Sequence, residues 1–409
     1  MRGAFKSAIA GVLGLLALAS PAAAEPDLRK VVSMGSINHA GDGEDLTAHG
    51  NLAAVQATGA RWVRLWIRWD KAQLYPPGFV PTSALDSPLN DYPSCGTGCG
   101  FRYIEVMDAQ VAAARAAGLN VVLATWHYPR WSNGTARVPA DWAREDRGEA
   151  TDPVERLKPL EWRLPVGQLG PQQHYGRWLD WLLGRYGRYG RGLALEIMNE
   201  PNHQLWPQQA PSASSDPYGA GELTLDDHVA EMMNTARSVS AAHGHPILIA
   251  GPGLSDRSGD DTRLMTGYDS AVRGILAKLT EGDWGESFVW SHHNYADIEH
   301  DVARPTRAEL VRSRLVGRWR GRGAPHDPAI WLTEGGARLG QVEATDLAGQ
   351  AELVRRSWRR MTAAPGVEMW TNYLLSANLV ANSGLRGARS SGGARRPVWD
   401  TFAGFPGLR

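Results

Sequence analysis

The sequence alternates eight short apolar segments, rich in β-branched and aromatic residues, with longer amphipathic segments. Strands that alternate with helices build parallel sheets, because each parallel strand must be reached through a crossover. Eight such units are the number that a closed (β/α)8 barrel needs, and 409 residues suit one barrel with insertions. The predicted fold class is therefore α/β: a (β/α)8 TIM barrel in a single domain with extended βα loops. The predicted strands span residues 31–37, 62–69, 120–126, 193–198, 246–250, 288–293, 329–333 and 367–372.

Helical periodicity fills most of the intervals between these strands. Gly59, Gly118 and Gly244 directly follow three of the predicted helices, where helix C-caps favour glycine. Long irregular segments follow strands two, three, four and eight, and in a barrel such βα loops form the rim of the active-site face. The predicted helices span residues 52–58, 104–117, 174–186, 226–243, 307–319 and 346–361, with a less regular one near 262–279.

The first 24 residues have the layout of a secretory signal peptide. Arg2 and Lys6 precede an apolar run over residues 8–19, and three small residues end at Ala24. The apolar run is too short to span a bilayer comfortably. We therefore expect cleavage near Ala24, export to the extracellular space or periplasm, and a catalytic domain over residues 25–409 with no membrane association.

The chain has two cysteines, Cys95 and Cys99, in a segment rich in glycine and proline. A zinc site needs more ligands than this pair offers, and redox motifs usually place two residues between their cysteines. An exported protein reaches an oxidising compartment, where such a pair forms a disulfide. We predict a structural disulfide that closes this loop.

Charge and composition exclude several classes of function. Forty-three basic side chains balance 43 acidic ones, whereas a protein that binds nucleic acid non-specifically needs a basic surface. The chain has 17 Trp but only 6 Phe, which indicates a cleft where flat amphipathic rings are useful. No HExxH-type zinc motif is present. We expect a monomer that needs no cofactor and no metal.

An acidic residue lies just after each of two predicted strands. Asn199-Glu200-Pro201 follows strand four, and Glu334 follows strand seven, before two glycines. Alone, each acid could cap a helix or pair with an arginine. On strands four and seven of one barrel, however, the two carboxylates face each other across the active-site end. Two carboxylates that flank a bond are the minimal equipment for hydrolysis of a glycosidic bond.

A cation is expected beside these acids. Arg64 lies in the alternating segment Trp62-Val63-Arg64-Leu65-Trp66, so its side chain points into the barrel. An inward arginine needs an anion, and Glu334 is the favoured partner. Glu196, which also points inward on strand four, is the alternative.

These residues resemble the retaining glycoside hydrolases of clan A, which carry their acids on strands four and seven of a (β/α)8 barrel. The likeness is greatest to family 5, the cellulase family, whose pattern adds an arginine on strand two, a histidine after strand three, His-x-Tyr on strand six and a tryptophan on strand eight. This sequence offers a residue for each of these positions, in order: Arg64, His127, His293, Tyr295 and Trp370. Sister families, such as the β-xylosidase-containing family 39, share part of this set.

The resemblance implies a role for each residue. Glu200 would be the acid/base, and Glu334 the nucleophile that forms a covalent glycosyl-enzyme. Tyr295 would hold Glu334 in line through a hydrogen bond. The remaining residues would bind substrate: Asn199 the sugar 2-hydroxyl, His127 and His293 other hydroxyls or the acid/base carboxyl, and Trp370 the face of the sugar at the cleavage point. His292 points away from its neighbour on a strand and is expected to be structural.

The expected partner is an oligo- or polysaccharide, but the sequence does not identify the sugar. A transglycosylase would carry the same residues, because transfer and hydrolysis share one covalent intermediate. A carbohydrate-binding pseudoenzyme is the remaining alternative, and the presence of both acids argues against it.

Overall fold

The structure is a computed structural model. It describes the chain from residue 28 to residue 406 with gaps, and no helix of the described part is long and apolar enough to cross a membrane. The predicted signal peptide (residues 1–24), Cys95 and Cys99 lie outside the described residues. Those residues are 28–37, 43–73, 103–127, 170–202, 225–244, 247–256, 267–280, 288–299, 306–321, 329–340, 346–377, 382–388 and 393–406.

Eight parallel strands close into a barrel in the order of the sequence, β1 to β8, with β1 paired to both β2 and β8. This confirms the predicted (β/α)8 TIM barrel. The strands are β1 (Arg29–Ser33), β2 (Trp62–Arg68), β3 (Asn120–Trp126), β4 (Leu193–Glu196), β5 (Leu248–Ser255), β6 (Phe288–His293), β7 (Ile330–Glu334) and β8 (Val367–Tyr373).

Helices pack around the outside of the barrel. Each predicted helix is present among the described residues, and the uncertain one after β5 spans Tyr268–Lys278, while residues 262–266 of that prediction lie outside the described residues. Three short helices have no counterpart in the predictions: Trp69–Ala72, Tyr295–Glu299 and Pro397–Ala403. The first two span only four and five residues, too few to show a helical period. The described α-helices are α1 (Asn51–Ala57), α2 (Trp69–Ala72), α3 (Tyr103–Ala116), α4 (His174–Tyr186), α5 (Leu225–His243), α6 (Tyr268–Lys278), α7 (Tyr295–Glu299), α8 (Arg307–Gly321), α9 (Leu347–Ala363) and α10 (Pro397–Ala403).

Alternation along the strands divides the core into two parts. Outward-facing residues pack against the helices in the larger cluster, while inward-facing residues fill the barrel. In the barrel the ring of Trp62 meets that of Trp331 edge-on at 5.5 Å. This inner cluster consists of Val31, Trp62, Val122, Ala194, Leu248, Ala250, Val289, Trp331 and Met369. The interior is thus filled with apolar side chains at one level, and the polar site lies beyond it at the carboxyl ends of the strands.

A buried lysine joins the first strand to the last helix. Lys30 is 2% exposed, and its Nζ donates to the carbonyls of Phe402, Ala403 and Phe405 at 3.1–3.3 Å. These carbonyls lie at the C-terminal end of α10, where a helix leaves acceptors unsatisfied and favours a cation. Lys30 therefore holds α10 against β1, the strand that pairs with β8 to close the barrel.

We expect Lys30→Met to lower the free energy of unfolding by about 2 kcal/mol, because buried carbonyls lose their donor. The change is measured by guanidinium denaturation and by the thermal midpoint. Lys278→Met is the matched control, since the Lys278–Asp227 pair is partly exposed and such pairs contribute under ~1 kcal/mol. Equal losses in the two variants would contradict a structural role for Lys30.

Candidate active site

The guanidinium of Arg64 joins the strands that carry the acids. Arg64 is fully buried, and its Nη1 donates to Oε2 of Glu334 at 2.8 Å. Its Nε donates to Oε2 of Glu196 at 2.8 Å, and its Nη2 to Oδ1 of Asn199 at 2.7 Å. The two partners that the sequence left as alternatives are therefore both bound, because a guanidinium presents several donors in a fixed fork.

The contacts of Arg64 also fix the orientation of the Asn199 amide. Arginine only donates hydrogen bonds, so the atom that faces it must be the amide oxygen. The Nδ2 of Asn199 is then a buried donor with no partner among the described residues. Such a group is costly unless a bound molecule accepts from it.

Glu200 is held in a strained backbone conformation. Its φ is 45°, which is unfavourable for a residue with a Cβ. Hydrogen bonds to the neighbouring strands keep it there: Glu200 N donates to Gly253 O at 2.8 Å, and Asn199 N to Thr125 O at 3.0 Å. Position 253 must be glycine, because a Cβ there would lie 2.2 Å from the carbonyl oxygen of Met198. The turn after β4 thus aims Glu200 at the barrel axis.

Glu334 is the last residue of β7, and the two glycines after it allow close approach on both sides. A Cβ on Gly335 would lie 2.1 Å from Oδ1 of Asn294, and one on Gly336 would lie 2.7 Å from the carbonyl oxygen of Tyr373. The glycine pair therefore lets the ends of β6 and β8 approach Glu334 closely.

The two glutamates lie close together, with His293 between them. His293 Nδ1 is 2.8 Å from Oε1 of Glu200 and 3.9 Å from Oε1 of Glu334. One ligand atom from each of the three residues lies within 4.8 Å of the others. A carboxylate–imidazole–carboxylate cluster of this size has donors that could also take a metal ion.

Charge and burial shift the pKa values in this cluster. Burial lowers the pKa of His293, but the carboxylates of Glu334 and Glu200 outweigh it, and the pKa is raised overall. Burial raises the pKa of Glu334, and the charges of His293 and Arg64 only partly offset this. The pKa values of both His293 and Glu334 therefore lie above their ordinary values. Shifted pKa values of this kind are common in active sites.

Tyr295 donates to Glu334 as the sequence predicted. Its hydroxyl lies 2.8 Å from Oε1 of Glu334 and leaves Oε2 to Arg64. Tyr295 is the first residue of the short helix α7 rather than part of β6.

The two other histidines occupy different surroundings. His127 lies at the end of β3 with a φ of 55°, and its ring is 4.2 Å from that of Trp126. His292 points outward into the helix layer, where its ring is 5.4 Å from that of Tyr268. Burial lowers the pKa of His292 to about 3, so it stays neutral. These surroundings agree with a structural role for His292.

The prediction that Trp370 faces the substrate is wrong. Trp370 is fully buried, its Nε1 donates to Ser357 Oγ at 3.2 Å, and its ring packs against Trp358 and Phe402. The reason is the alternation of β8: Met369 belongs to the cluster inside the barrel, so its neighbour Trp370 must face the helices.

Tyr373 faces inward at the mouth of the barrel, because it lies four residues beyond Met369 on β8 and so has the same parity. Its ring is 6.5 Å from that of Tyr295 and 6.2 Å from that of Trp66. Trp66 in turn lies against the guanidinium of Arg64, with 4.7 Å between Cζ and the ring centroid. Strand parity would have identified Tyr373, but the predicted strand ended one residue too early to include it.

A closed parallel barrel with two opposed glutamates at its carboxyl end defines the class of (β/α)8 glycoside hydrolases. The model of the cellulase family, glycosyl hydrolase family 5, matches residues 29–343, and the protein belongs to this family. It is therefore a glycoside hydrolase. No curated protein matches the sequence.

Several solved structures have the same fold. XacCel5A in complex with cellopentaose has 13% identity and a TM-score of 0.53, over 92% of this chain and 98% of that one. Cel5A from Thermotoga maritima in complex with mannotriose has 15% identity and a TM-score of 0.50, over 92% and 98%. A broad-specificity endoglucanase from Clostridium acetobutylicum has 12% identity and a TM-score of 0.50, over 92% and 96%.

Trp370 and Tyr373 offer a matched test on one strand. We expect Trp370→Phe to lower the thermal midpoint but to leave kcat/KM for an aryl glycoside within about twofold, because only outer packing is lost. Tyr373→Leu should lower kcat/KM by about 100-fold, because an aromatic wall of the site is removed. A large kinetic loss in Trp370→Phe alone would contradict this placement.

Proposed function

We propose that this protein is a retaining β-glycosidase that hydrolyses a β-linked glycan by double displacement. The observation that carries the proposal is the spacing of the two glutamates, with carboxylate oxygens within 4.8 Å of each other. Retaining enzymes hold their carboxyl groups about 5–5.5 Å apart, whereas inverting ones need about 6.5–9.5 Å to admit a water molecule. A pair of carboxylate oxygens this close supports the shorter, retaining spacing.

The hydrogen bonds support different roles for the two acids. Glu334 accepts from both Arg64 and Tyr295, and such bonds favour its ionised form, which a nucleophile needs. Glu200 pairs with His293, whose Nδ1 can donate to the carboxylate or accept from the carboxylic acid. This pair can therefore hold a proton in either state, as an acid/base must.

The first step breaks the glycosidic bond. A carboxylate oxygen of Glu334 attacks the anomeric carbon, the bond to the leaving oxygen breaks, and the proton of Glu200 moves to that oxygen. In this proposal Asn199 Nδ2 donates to the sugar 2-hydroxyl, an interaction that strengthens in the transition state, and its lack of a partner among the described residues supports this role. Arg64 binds Glu334 and Asn199 together, so it aligns both with the same sugar.

The second step releases the product. Glu200, now ionised, takes a proton from water, the water oxygen attacks the anomeric carbon, and the bond to Glu334 breaks. A sugar hydroxyl in place of water would give transglycosylation through the same steps. Cellopentaose and mannotriose bound to relatives support a β-linked glucan or mannan as substrate. The layout of residues 1–24 supports secretion.

Glu334→Gly should abolish turnover of 2,4-dinitrophenyl β-glycosides, because no nucleophile remains. Azide should restore part of the rate and yield the α-glycosyl azide, since a small anion fits the space that the carboxylate leaves. Product stereochemistry by NMR provides the readout. Circular dichroism checks that the variant is folded, as expected because Arg64 keeps Glu196 and Asn199 as partners.

Glu200→Ala is the complementary variant. It should keep fast formation of the glycosyl-enzyme from dinitrophenyl glycosides, whose leaving group needs little acid assistance, and lose turnover of natural glycans. Wild-type product with inverted configuration, or a Glu334→Gly variant with undiminished rate, would overturn the mechanism.

Tyr295→Phe should shift the pH profile of kcat/KM. The hydroxyl of Tyr295 lowers the pKa of Glu334, which burial raises, so its removal raises that pKa further. Because the nucleophile must be ionised, activity is lost as the pH falls through this pKa, and the acid limb should move to higher pH. The rate at the optimum should fall about 10- to 100-fold. An unchanged acid limb would show that another group controls it.

A further inference from the structure

The loop after β1 places a third carboxylate at the mouth of the barrel. Glu44 Oε2 accepts from the backbone N of Gly35 at 2.8 Å. A Cβ on Gly35 would lie only 2.7 Å from Cγ of Glu44, so the side chain of Glu44 occupies the space where residue 35 would project its own.

Strand parity shows where that space lies. Val31 belongs to the cluster inside the barrel, while Val32 and Met34 belong to the outer cluster against the helices. Gly35 therefore continues the inward-facing series of β1. The Glu44 carboxylate thus takes the place of an inward side chain of β1 at the active-site end of the barrel.

The register of the barrel gives the neighbours of this carboxylate. Ser33 pairs with Arg64 on β2 and with Tyr373 on β8. Gly35 lies two residues beyond the end of β1, and the same register continued by two residues brings it level with Trp66 on β2. Burial first, then the charges of Glu334 and Glu44, raise the pKa of Tyr373 well above its usual value, which agrees with both carboxylates lying near this hydroxyl.

The loop holds Glu44 rigidly. Asn51 Nδ2 donates to the carbonyls of Gly43 and Asp45 at 3.1 and 2.7 Å, on either side of Glu44. Leu46 is fully buried, and its N donates to Gln110 Oε1 on α3 at 3.0 Å. A half-buried carboxylate that is anchored in this way is preorganised to accept hydrogen bonds from a ligand.

We propose that Glu44 is a specificity-determining residue that accepts hydrogen bonds from hydroxyl groups of the sugar bound beside Glu334 and Tyr373. This rests on the proposed function for the location of the sugar. A carboxylate has several acceptor sites, so Glu44 can accept from sugar hydroxyls while it still accepts from Gly35 N. A substrate that lacks those hydroxyls loses their charge-assisted hydrogen bonds. The β1 side of the site therefore discriminates by hydroxyl pattern, while Trp66 and Tyr373 provide aromatic walls.

The test combines substrates that each lack one hydroxyl with protein variants that lack the carboxylate of Glu44. The substrates are 2,4-dinitrophenyl β-glucoside, β-mannoside and β-cellobioside, with the monodeoxy analogues of whichever is turned over fastest. We expect the wild type to reject one or two analogues, lacking hydroxyls other than the 2-hydroxyl, by about 10- to 100-fold in kcat/KM. In Glu44→Ala that discrimination should fall below about threefold, with Glu44→Gln intermediate.

Two variants control for structure. Glu44→Gln can still accept from Gly35 N, so it should melt like the wild type, which separates recognition from support of the loop. Glu352→Gln alters an exposed acid that pairs with Arg355 on the outside of the barrel and should leave every rate unchanged. The assignment would be overturned if Glu44→Ala lowered kcat/KM equally for the parent glycoside and all its analogues, or if it left every kcat/KM unchanged.

Binding of cellotriose and mannotriose, followed by tryptophan fluorescence, separates this inference from the proposed function. A wild type that binds without hydrolysis, and loses affinity about tenfold or more in Glu44→Ala, would overturn the proposed function and uphold the role of Glu44. Hydrolysis with no dependence on Glu44 would overturn only the latter. A wild type that neither binds nor hydrolyses these sugars overturns both.

Discussion

The ion pairs of Arg64 are the constraint on which the site depends. Its buried guanidinium binds Glu196, Asn199 and Glu334, and so fixes β2, the end of β4 and β7 relative to one another. A carboxylate in this interior is very costly without a paired cation, and loss of one partner from a buried pair costs about 3–5 kcal/mol. The planar fork of arginine sets three directions at once, which the point charge of a lysine cannot. The same contacts that stabilise the charged interior therefore fix Glu334 relative to Asn199, the residue that precedes Glu200.

Backbone strain is concentrated beside this network. Glu200 has a left-handed backbone conformation, and Gly253, Gly335 and Gly336 permit approaches that any Cβ would prevent. Such features persist only where surrounding hydrogen bonds hold them, and they are common at functional sites because they aim side chains. The barrel supplies that support through the paired ends of its strands, while the apolar cluster inside it provides a rigid floor.

Much of the site followed from residue type and strand parity. The inward direction of Arg64, the opposition of Glu200 and Glu334, the contact of Tyr295 with Glu334 and the outward direction of His292 were all predicted and lie as expected. The family pattern predicts an inward tryptophan on strand eight, but alternation with Met369 directs Trp370 outward. Tyr373 occupies the inward position instead, so this chain departs from the family pattern on strand eight. The helices α2 and α7 could not be predicted, because four and five residues are too few to show a helical period.

The sequence by itself determined the barrel, because eight alternating units admit few other arrangements, and it determined which acids oppose each other, because strand ends meet at one rim. Only the tertiary structure decided how the charges pair. Arg64 binds both Glu196 and Glu334, and His293 forms a hydrogen bond with Glu200. The side chain of Glu44 occupies the space beside Gly35. These contacts depend on how residues that are far apart in the chain pack against one another. Periodicity reports the direction of a side chain, but only packing fixes what it meets.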